Sequence, residues 1–294
     1  MRVLELFAGI GGCAAALAER EGVEVVAAID HDEAAHATYC ANYAHPAFRI
    51  NLASISIPRL AAFEADAWWM SPPCQPFTVR GHRRDIDDPR CQALLHLIEA
   101  LEAVQPRWLG LENVPGFAGS IAHTRLIAML RTHGYSIQQG EICPTWLGIP
   151  NERRRFYLVA ERGAARPVDF RGAFQAPPVR RSLASYLDPH PDPALVVPKA
   201  IVTKYAQGLA VVDPTAADAV AHCFTAAYGR SWVYSGSYLK DGLQIRRFSP
   251  AEITRLLGFP DTYRPPVGRK AFKLVGNALS VDVVKAILAD WGPR

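Results

Sequence analysis

No two of the six cysteines stand close enough to form a Cys-x-x-Cys pair; they lie at positions 13, 40, 74, 91, 143 and 223. That spacing excludes a zinc ribbon, no metal site is expected, and free thiols fit a reducing compartment. No apolar run approaches the roughly 18–20 residues of a membrane-spanning helix, so no membrane partner is expected. The first apolar strand begins almost at Met1, so no signal peptide is expected either, and the cytoplasm is the expected location. Lysine is scarce: only six of the 32 basic residues are lysine. An arginine excess suits phosphate contacts, although the abundance of alanine points first to base composition. The Gly-x-Gly-x-x-Gly fingerprint of dinucleotide binding is missing as well. The chain has 294 residues, of which 50% are hydrophobic and 20% charged, with a net charge of +4. This is an ordinary globular balance, enough for one large domain or one large and one small. It permits a polyanionic partner without demanding one.

The N-terminal half alternates between strand and helix. Arg2 to Leu6 reads as a short apolar strand, and Phe7-Ala8-Gly9-Ile10-Gly11-Gly12 as a glycine-rich turn. Cys13 to Arg20 is helical by propensity, Val23 to Ile29 is a β-branched strand closed by Asp30, and His31 to Tyr43 reads as helix. Such βαβ units build parallel sheets. Glycines let backbone approach a ligand closely, and Asp30 can accept hydrogen bonds from ribose hydroxyls. The turn is Gly-x-Gly-Gly rather than a pyrophosphate cradle, and Phe7 offers an aromatic face to a nucleoside. S-adenosyl-L-methionine, with ribose and adenine but no phosphate, therefore fits better than a dinucleotide. A tight turn with no ligand is the plain alternative.

Two further motifs each close a short apolar run. Pro72-Pro73-Cys74-Gln75 follows Ala67-Trp68-Trp69-Met70, and Glu112-Asn113-Val114 follows Trp108-Leu109-Gly110-Leu111. Ligands of open parallel sheets sit outside the carboxyl ends of the strands, so a thiol and a carboxyl on neighbouring strand ends can face one substrate. The pairing suits covalent chemistry on a pyrimidine, with the thiol adding to carbon 6 and the acid protonating ring nitrogen 3. The competing reading is a structural cysteine and a surface glutamate.

At these residues the chain resembles the cytosine carbon-5 methyltransferases along nearly its whole length. Leu6 to Gly12 is similar to that family's cofactor loop, Pro72-Pro73-Cys74-Gln75 to its nucleophile motif, and Glu112-Asn113-Val114 to its acid motif. Arg153-Arg154-Arg155-Phe156, then Arg247-Phe248-Ser249-Pro250 with Glu252 and Leu257-Gly258-Phe259-Pro260, and finally Gly276-Asn277-Ala278-Leu279-Ser280 follow in the family's order. Met70 to Thr78, Leu147-Gly148-Ile149-Pro150-Asn151 and Cys223-Phe224-Thr225 resemble the branch that methylates transfer RNA. The implied fold is α/β: a Rossmann-like S-adenosyl-L-methionine-dependent domain with a mostly parallel sheet, plus a small target-recognition domain. The resemblance implies Cys74, Glu112, Arg153 and Arg155 as catalytic residues. It implies Phe7, Ala8, Gly9, Ile10, Gly11, Gly12, Asp30, His31, Asn51, Leu52, Pro72, Asn277, Ala278 and Ser280 around the cofactor. Gln75, Arg80, Asn113, Cys223, Phe224 and Thr225 are implied at the substrate. One departure stands out: Asn51 occupies the place of an acid that in the family binds the adenine amino group, and its oxygen accepts without charge.

The chemistry sets requirements on these residues. A free thiol is mostly protonated at neutral pH, so Cys74 needs positive charge nearby, for which Arg153 and Arg155 are the candidates. Arg154 is expected on the other face of a strand. Glu112 has to carry a proton near neutral pH, which burial can arrange. The target base must leave its stack, and an anticodon loop makes this cheap because its bases are unpaired. The basic run Arg80-Gly81-His82-Arg83-Arg84 is expected as a loop over the substrate, and Cys223 as support for the pocket. Cys13, Cys40, Cys91 and Cys143 are expected as packing residues. Prolines between Gly172 and Leu243 break any long element. The expected domains are therefore 1–171 (catalytic), 172–243 (target recognition) and 244–294 (completing the catalytic domain). The implied activity is methyl transfer to an anticodon-loop cytosine, just 3′ of the anticodon and most often in tRNA-Asp, by a monomer. A DNA methyltransferase is the first alternative, a nucleic-acid-binding homologue without catalysis the second, and a nicotinamide-dependent oxidoreductase a distant further one.

Overall fold

The structure is a computed structural model that describes residues 1–78, 84–164, 174, 179–289 and 291. Its chain order begins with β1 (Arg2–Leu6), α1 (Gly12–Leu17), β2 (Glu24–Asp30), α2 (Glu33–Cys40), β3 (Ala47–Arg49), α3 (Ile57–Ala61) and β4 (Ala67–Met70). It continues with α4 (Gln92–Val104), β5 (Trp108–Asn113), α5 (Ile121–Thr132), β6 (Tyr135–Ile142), β7 (Asn151–Glu152) and β8 (Arg155–Arg162). Then come α6 (Lys199–Lys204), β9 (Ala210–Val212), β10 (Ala221–His222), β11 (Ser237–Asp241), β12 (Gln244–Arg247), α7 (Pro250–Leu256), α8 (Ala271–Asn277) and α9 (Val281–Ile287).

The residues fall into two compact units: one made of Met1–Ile142, Arg154–Gln175 and Val284–Arg294, the other of Cys143–Arg153 and Ala176–Val283. The first unit is built on a seven-stranded sheet of order β3-β2-β1-β4-β5-β8-β6. Strands β1 to β5 run parallel, while β8 runs antiparallel to both β5 and β6. Strands β4 and β5 are buried at every residue, which is why they read as unbroken apolar runs rather than alternating ones. Gly110 on β5 lies opposite Trp69 on β4, and a Cβ there would stand 2.3 Å from the indole ring. Helix α4 buries Leu94, Leu97, Ile98 and Leu101, the i, i+3, i+4, i+7 stripe of an amphipathic helix. Helix α2 starts at Glu33 rather than His31 because the Asp32 carboxylate accepts from Ala34 and Ala35 N–H.

The second unit holds a three-stranded sheet, β12-β11-β9, and the parallel pair β10-β7. Its interior is pinned by a two-pronged ion pair. Arg246 Nη1 and Nη2 each stand 2.9 Å from an oxygen of Glu252, which has no exposed surface. Glu252 also completes the capping box of α7 with Ser249. The sequence reading gave 244–294 to the catalytic domain. Residues 244–283 instead fall in the second unit, because β12 pairs with β11 and Phe248 packs against Phe224 at 4.9 Å between ring centroids. Only Val284–Arg294 joins the first unit. There Lys285 pairs with Glu19 at 3.3 Å and the Arg20 guanidinium donates to the Leu288 carbonyl. The expected boundary at 171 lies outside the described residues.

Candidate active site

The glycine turn leaves β1 with Phe7 in left-handed backbone (φ 56°), followed by Gly9 (φ 55°) and Gly11 (φ 87°). A Cβ at Gly11 would stand 2.3 Å from the Tyr43 ring, whose hydroxyl donates to the Gly11 carbonyl at 2.8 Å. Asp30 closes β2. Its two carboxylate oxygens accept from Gly9 N–H and Asp32 N–H, each at 2.8 Å, so the turn and the acid are fixed to each other. His31 is mostly exposed, 3.7 Å from Asp30. A small cavity is lined by Ala8, Gly9, Asp30, His36, Tyr39 and Phe48, among others. Ala8, Ile10 and Gly12 are buried. After β3, the exposed Asn51 accepts Ala53 N–H on its side-chain oxygen at 3.0 Å, while Leu52 is buried.

Beneath the turn lies Glu5, a fully buried carboxyl in the middle of β1. It accepts from Cys13 N–H at 3.2 Å and from the Tyr39 hydroxyl at 2.7 Å. Burial pushes it up to about 7 against the lowering effect of these bonds. The sequence signal was present: an acid inside the run Val3-Leu4-Glu5-Leu6 has no solvent-facing side to occupy.

Cys74 and Glu112 belong to adjacent strands, as expected: β4 ends at Met70 opposite Leu111 of β5. The loop between Met70 and Cys74 is held at both edges. Ser71 N–H donates to the Leu6 carbonyl at 3.3 Å, and Asn113 Nδ2 donates to the Pro72 carbonyl at 3.1 Å. Cys74 and Gln75 are half-buried in a short 3-10 turn, with Phe77 N–H bonded back to the Cys74 carbonyl at 2.9 Å. Asn113 is 1% exposed, so it braces the thiol loop instead of presenting an amide to solvent. Strand β8 begins where β5 ends because it runs antiparallel, and this brings Arg155 Nε to 3.4 Å from the Glu112 carboxylate. Arg154 points away to an exposed pair with Glu141 at 3.7 Å.

Arg90, which the sequence reading passed over, is a cation within electrostatic reach of the Cys74 thiol. It is held by a two-pronged pair with Asp88, at 2.8 and 2.6 Å, and that bonding pulls the Asp88 carboxyl down to about 2. Its signal was the local Asp-Pro-Arg order, in which Asp88 also accepts Arg90 N–H at 3.0 Å. Arg80, expected at the substrate, lies outside the described residues together with Gly81, His82 and Arg83.

In the second unit, Arg153 is 2% exposed. Its guanidinium donates to Cys223 Sγ at 3.3 Å, to the Phe224 carbonyl at 3.0 Å, to the Gly276 carbonyl at 3.2 Å and to the Ala278 carbonyl. It therefore ties the Cys223-Phe224-Thr225 segment to the one at Gly276 to Ser280. Gly276 is needed there, since a Cβ would stand 2.3 Å from the Thr225 carbonyl oxygen. Asn277 is exposed, Ala278 is buried, and Ser280 Oγ is buried without a hydrogen-bond partner among the described residues. Cys13, Cys91 and Cys143 are buried, as expected of packing residues. Cys40 is exposed instead, 3.7 Å from His36 Nε2, because it closes α2 on its outer side.

In the first unit, a carboxylate at the end of β2 bonded to a glycine-rich turn fits a nucleoside-bearing cofactor without phosphate. With a thiol and a carboxyl on the next strand ends, fold and site define a Rossmann-like S-adenosyl-L-methionine-dependent methyltransferase. The profile of the C-5 cytosine-specific DNA methylases matches residues 1–190 and 202–292. A tRNA (cytosine(38)-C(5))-methyltransferase of Schizosaccharomyces pombe is 31% identical, covering 98% of this chain and 96% of its own length. The human enzyme of the same name is 28% identical, covering 98% of each. The crystal structure of S. pombe Dnmt2 methyltransferase superimposes with a TM-score of 0.87 at 30% identity, covering 100% of both chains. The chain belongs to the C-5 cytosine-specific DNA methylase family. Among the described residues, no helix is long and apolar enough to cross a membrane.

Proposed function

We propose that this methyltransferase acts on transfer RNA, at an anticodon-loop cytosine just 3′ of the anticodon, most often in tRNA-Asp. The observation that carries the reading is similarity over 98% of this chain to enzymes named for cytosine 38 of tRNA. The segment Cys223-Phe224-Thr225, braced from below by Arg153, supports it.

The residues take the following roles. Cys74 Sγ, ionised with help from Arg90, adds to carbon 6 of the cytosine, forming a carbon–sulfur bond and making carbon 5 nucleophilic. Glu112, oriented by Arg155, supplies the proton at ring nitrogen 3. S-adenosyl-L-methionine supplies the electrophilic methyl group. Carbon 5 then loses its proton to water, nitrogen 3 returns its proton to Glu112, and the carbon–sulfur bond breaks to release Cys74. Asp30, the Phe7 to Gly12 turn, Asn51, Asn277 and Ser280 hold the cofactor. Gln75, Cys223 and Thr225 border the base. The protein works as a monomer in the cytoplasm.

Methyl transfer from labelled S-adenosyl-L-methionine to total tRNA and to duplex DNA, with Cys74→Ala as control, tests the proposal. Label in tRNA alone, lost in the variant, is the expected result. Label in duplex DNA alone would keep the chemistry and overturn the substrate. Failure to form a covalent complex with 5-fluorocytosine RNA would overturn the nucleophile's role and favour a non-catalytic binder.

A further inference from the structure

The Glu5 carboxyl has no lysine or arginine against it among the described residues, yet it lies directly under the cofactor turn. Its hydrogen bonds form a chain toward the surface. Glu5 Oε2 is 2.7 Å from the Tyr39 hydroxyl, and that hydroxyl is 2.6 Å from Nε2 of the half-buried His45. A phenol has one proton and must point it one way at a time. With Glu5 ionised, His45 Nε2–H donates to Tyr39 and Tyr39 donates to Glu5. With Glu5 protonated, the chain reverses: Glu5 donates to Tyr39 and Tyr39 donates to a bare Nε2.

We propose that Tyr39 and His45 are positioning residues that form a proton relay from solvent to Glu5 and bias its protonation through their hydrogen bonds, and that the protonation state of Glu5 makes the turn's hold on S-adenosyl-L-methionine depend on pH. The inference rests on the assignment of the Phe7 to Gly12 turn to the cofactor. The transfer balances. His45 Nδ1 takes a proton from water, Nε2 gives its proton to the Tyr39 oxygen, and Tyr39 gives its own to Glu5. Burial keeps His45 from holding the extra charge, so it passes a proton on.

The coupling to the turn is geometric. An ionised Glu5 holds Cys13 N–H with a charge-assisted bond, and protonation weakens that bond. The rings of Tyr39, Tyr43 and His45 form one cluster, with centroids 4.8, 5.4 and 5.5 Å apart. Tyr43 presses on Gly11 from above. A reversal of the Tyr39–His45 bond is thus felt at the turn through two routes. Among the described residues, the other titratable groups around Glu5 are Asp30 on β2, whose charge opposes ionisation, Cys13 on α1, and His36, which lines the same cavity as Tyr39. From β4, Trp69 is the residue paired opposite Glu5 and carries no charge.

The test is calorimetric titration of S-adenosylhomocysteine, which lacks the sulfonium charge, into the wild type and into Glu5→Gln, Tyr39→Phe and His45→Ala between pH 6 and 8.5. Infrared difference spectra of the protein without ligand follow the protonated carboxyl band over the same range. Binding should tighten several-fold as pH rises, with a midpoint near 7. Tyr39→Phe should move the midpoint upward, because the bond that favours the carboxylate is gone, and Glu5→Gln should flatten the profile. A flat wild-type profile, or one unchanged in Glu5→Gln, would overturn the relay. If Glu5→Gln does not fold, the infrared midpoint decides, since one that stays put in both Tyr39→Phe and His45→Ala overturns the relay too. Absence of binding at every pH would overturn the cofactor assignment, while the infrared titration still reads the relay.

Discussion

Asn113 Nδ2 donates to the Pro72 carbonyl oxygen across 3.1 Å, so the strand end that carries the acid holds the loop that carries the thiol. Asn113 also accepts Val114 N–H at 2.8 Å on its side-chain oxygen. Both ends of one buried amide are therefore spent on keeping Cys74 and Glu112 in register.

Asn113→Ala should break that register. A lost buried hydrogen bond costs about 1–3 kcal/mol of stability. A small misplacement of reacting groups costs about 100-fold in rate. The expected outcome is a kcat lowered by about 10–100-fold, with cofactor affinity unchanged, because the cofactor turn belongs to β1 and β2. Stopped-flow or single-turnover methyl transfer checks it. A variant with normal kcat would show that the brace is dispensable.

Arg153 and Arg155 should separate cleanly. Arg153 is buried among carbonyls and a thiol in the second unit, so Arg153→Ala should destabilise by about 3–5 kcal/mol, as when a buried charge network is broken. Arg155 meets Glu112 at 3.4 Å, so Arg155→Gln should lower kcat by tenfold or more, on the order of one misdirected acid, with a smaller loss of thermal midpoint. Equal thermal losses in the two variants would contradict the division of roles.

The contrast marks where sequence reading ran out. Strands β1, β4 and β5 were legible because burial on both faces writes an apolar run, and the placement of Cys74, Glu112 and Asp30 at or just beyond strand ends was legible because each stands at or after the end of such a run. The difference between Arg153 and Arg155 was not legible, since two residues apart reads as one face of a strand. Strand β8 starts only at Arg155, and the chain before it belongs to the other unit. Asn113 as a brace depends on a partner 41 positions away in the chain, which no local pattern records, and the Asp88-Pro89-Arg90 order marks the local pair but not its reach to Cys74, 16 positions away. The grouping of 244–283 with β11 was not legible for the same reason: the Arg246–Glu252 pair faces inward only once β12 has found β11.

Glu5 gives a stability prediction with a definite sign. Its carboxyl is raised from 4.5 to about 7 in the folded protein, so the native state binds the proton more tightly than the unfolded chain. Stability from this group is full below about 4.5 and is lost as pH rises toward 7, by about 3 kcal/mol in total. Glu5→Gln removes the titration. The gap in thermal midpoint between wild type and Glu5→Gln should therefore change between pH 5 and pH 8, with the wild type losing ground at the higher pH. A gap independent of pH would mean that Glu5 titrates alike in both states.

Arg90 yields the sharpest test of the nucleophile's surroundings. Its guanidinium is aimed by Asp88 and lies within electrostatic reach of Cys74. A nearby cation favours the thiolate, which is the species that attacks both a pyrimidine and an alkylating agent. Arg90→Met keeps the length of the side chain and removes the charge. Alkylation of Cys74 by iodoacetamide at pH 7 should slow by about 3–10-fold, in keeping with a cation worth about one unit of thiol ionisation, and recover at pH 10, where the thiol ionises unaided. Asp88→Asn should act in the same direction but more weakly, because it frees the guanidinium without removing it. If alkylation at pH 7 is unchanged in Arg90→Met, the charge that prepares Cys74 must come from elsewhere, and Arg90 serves only to fold the segment between Asp88 and α4.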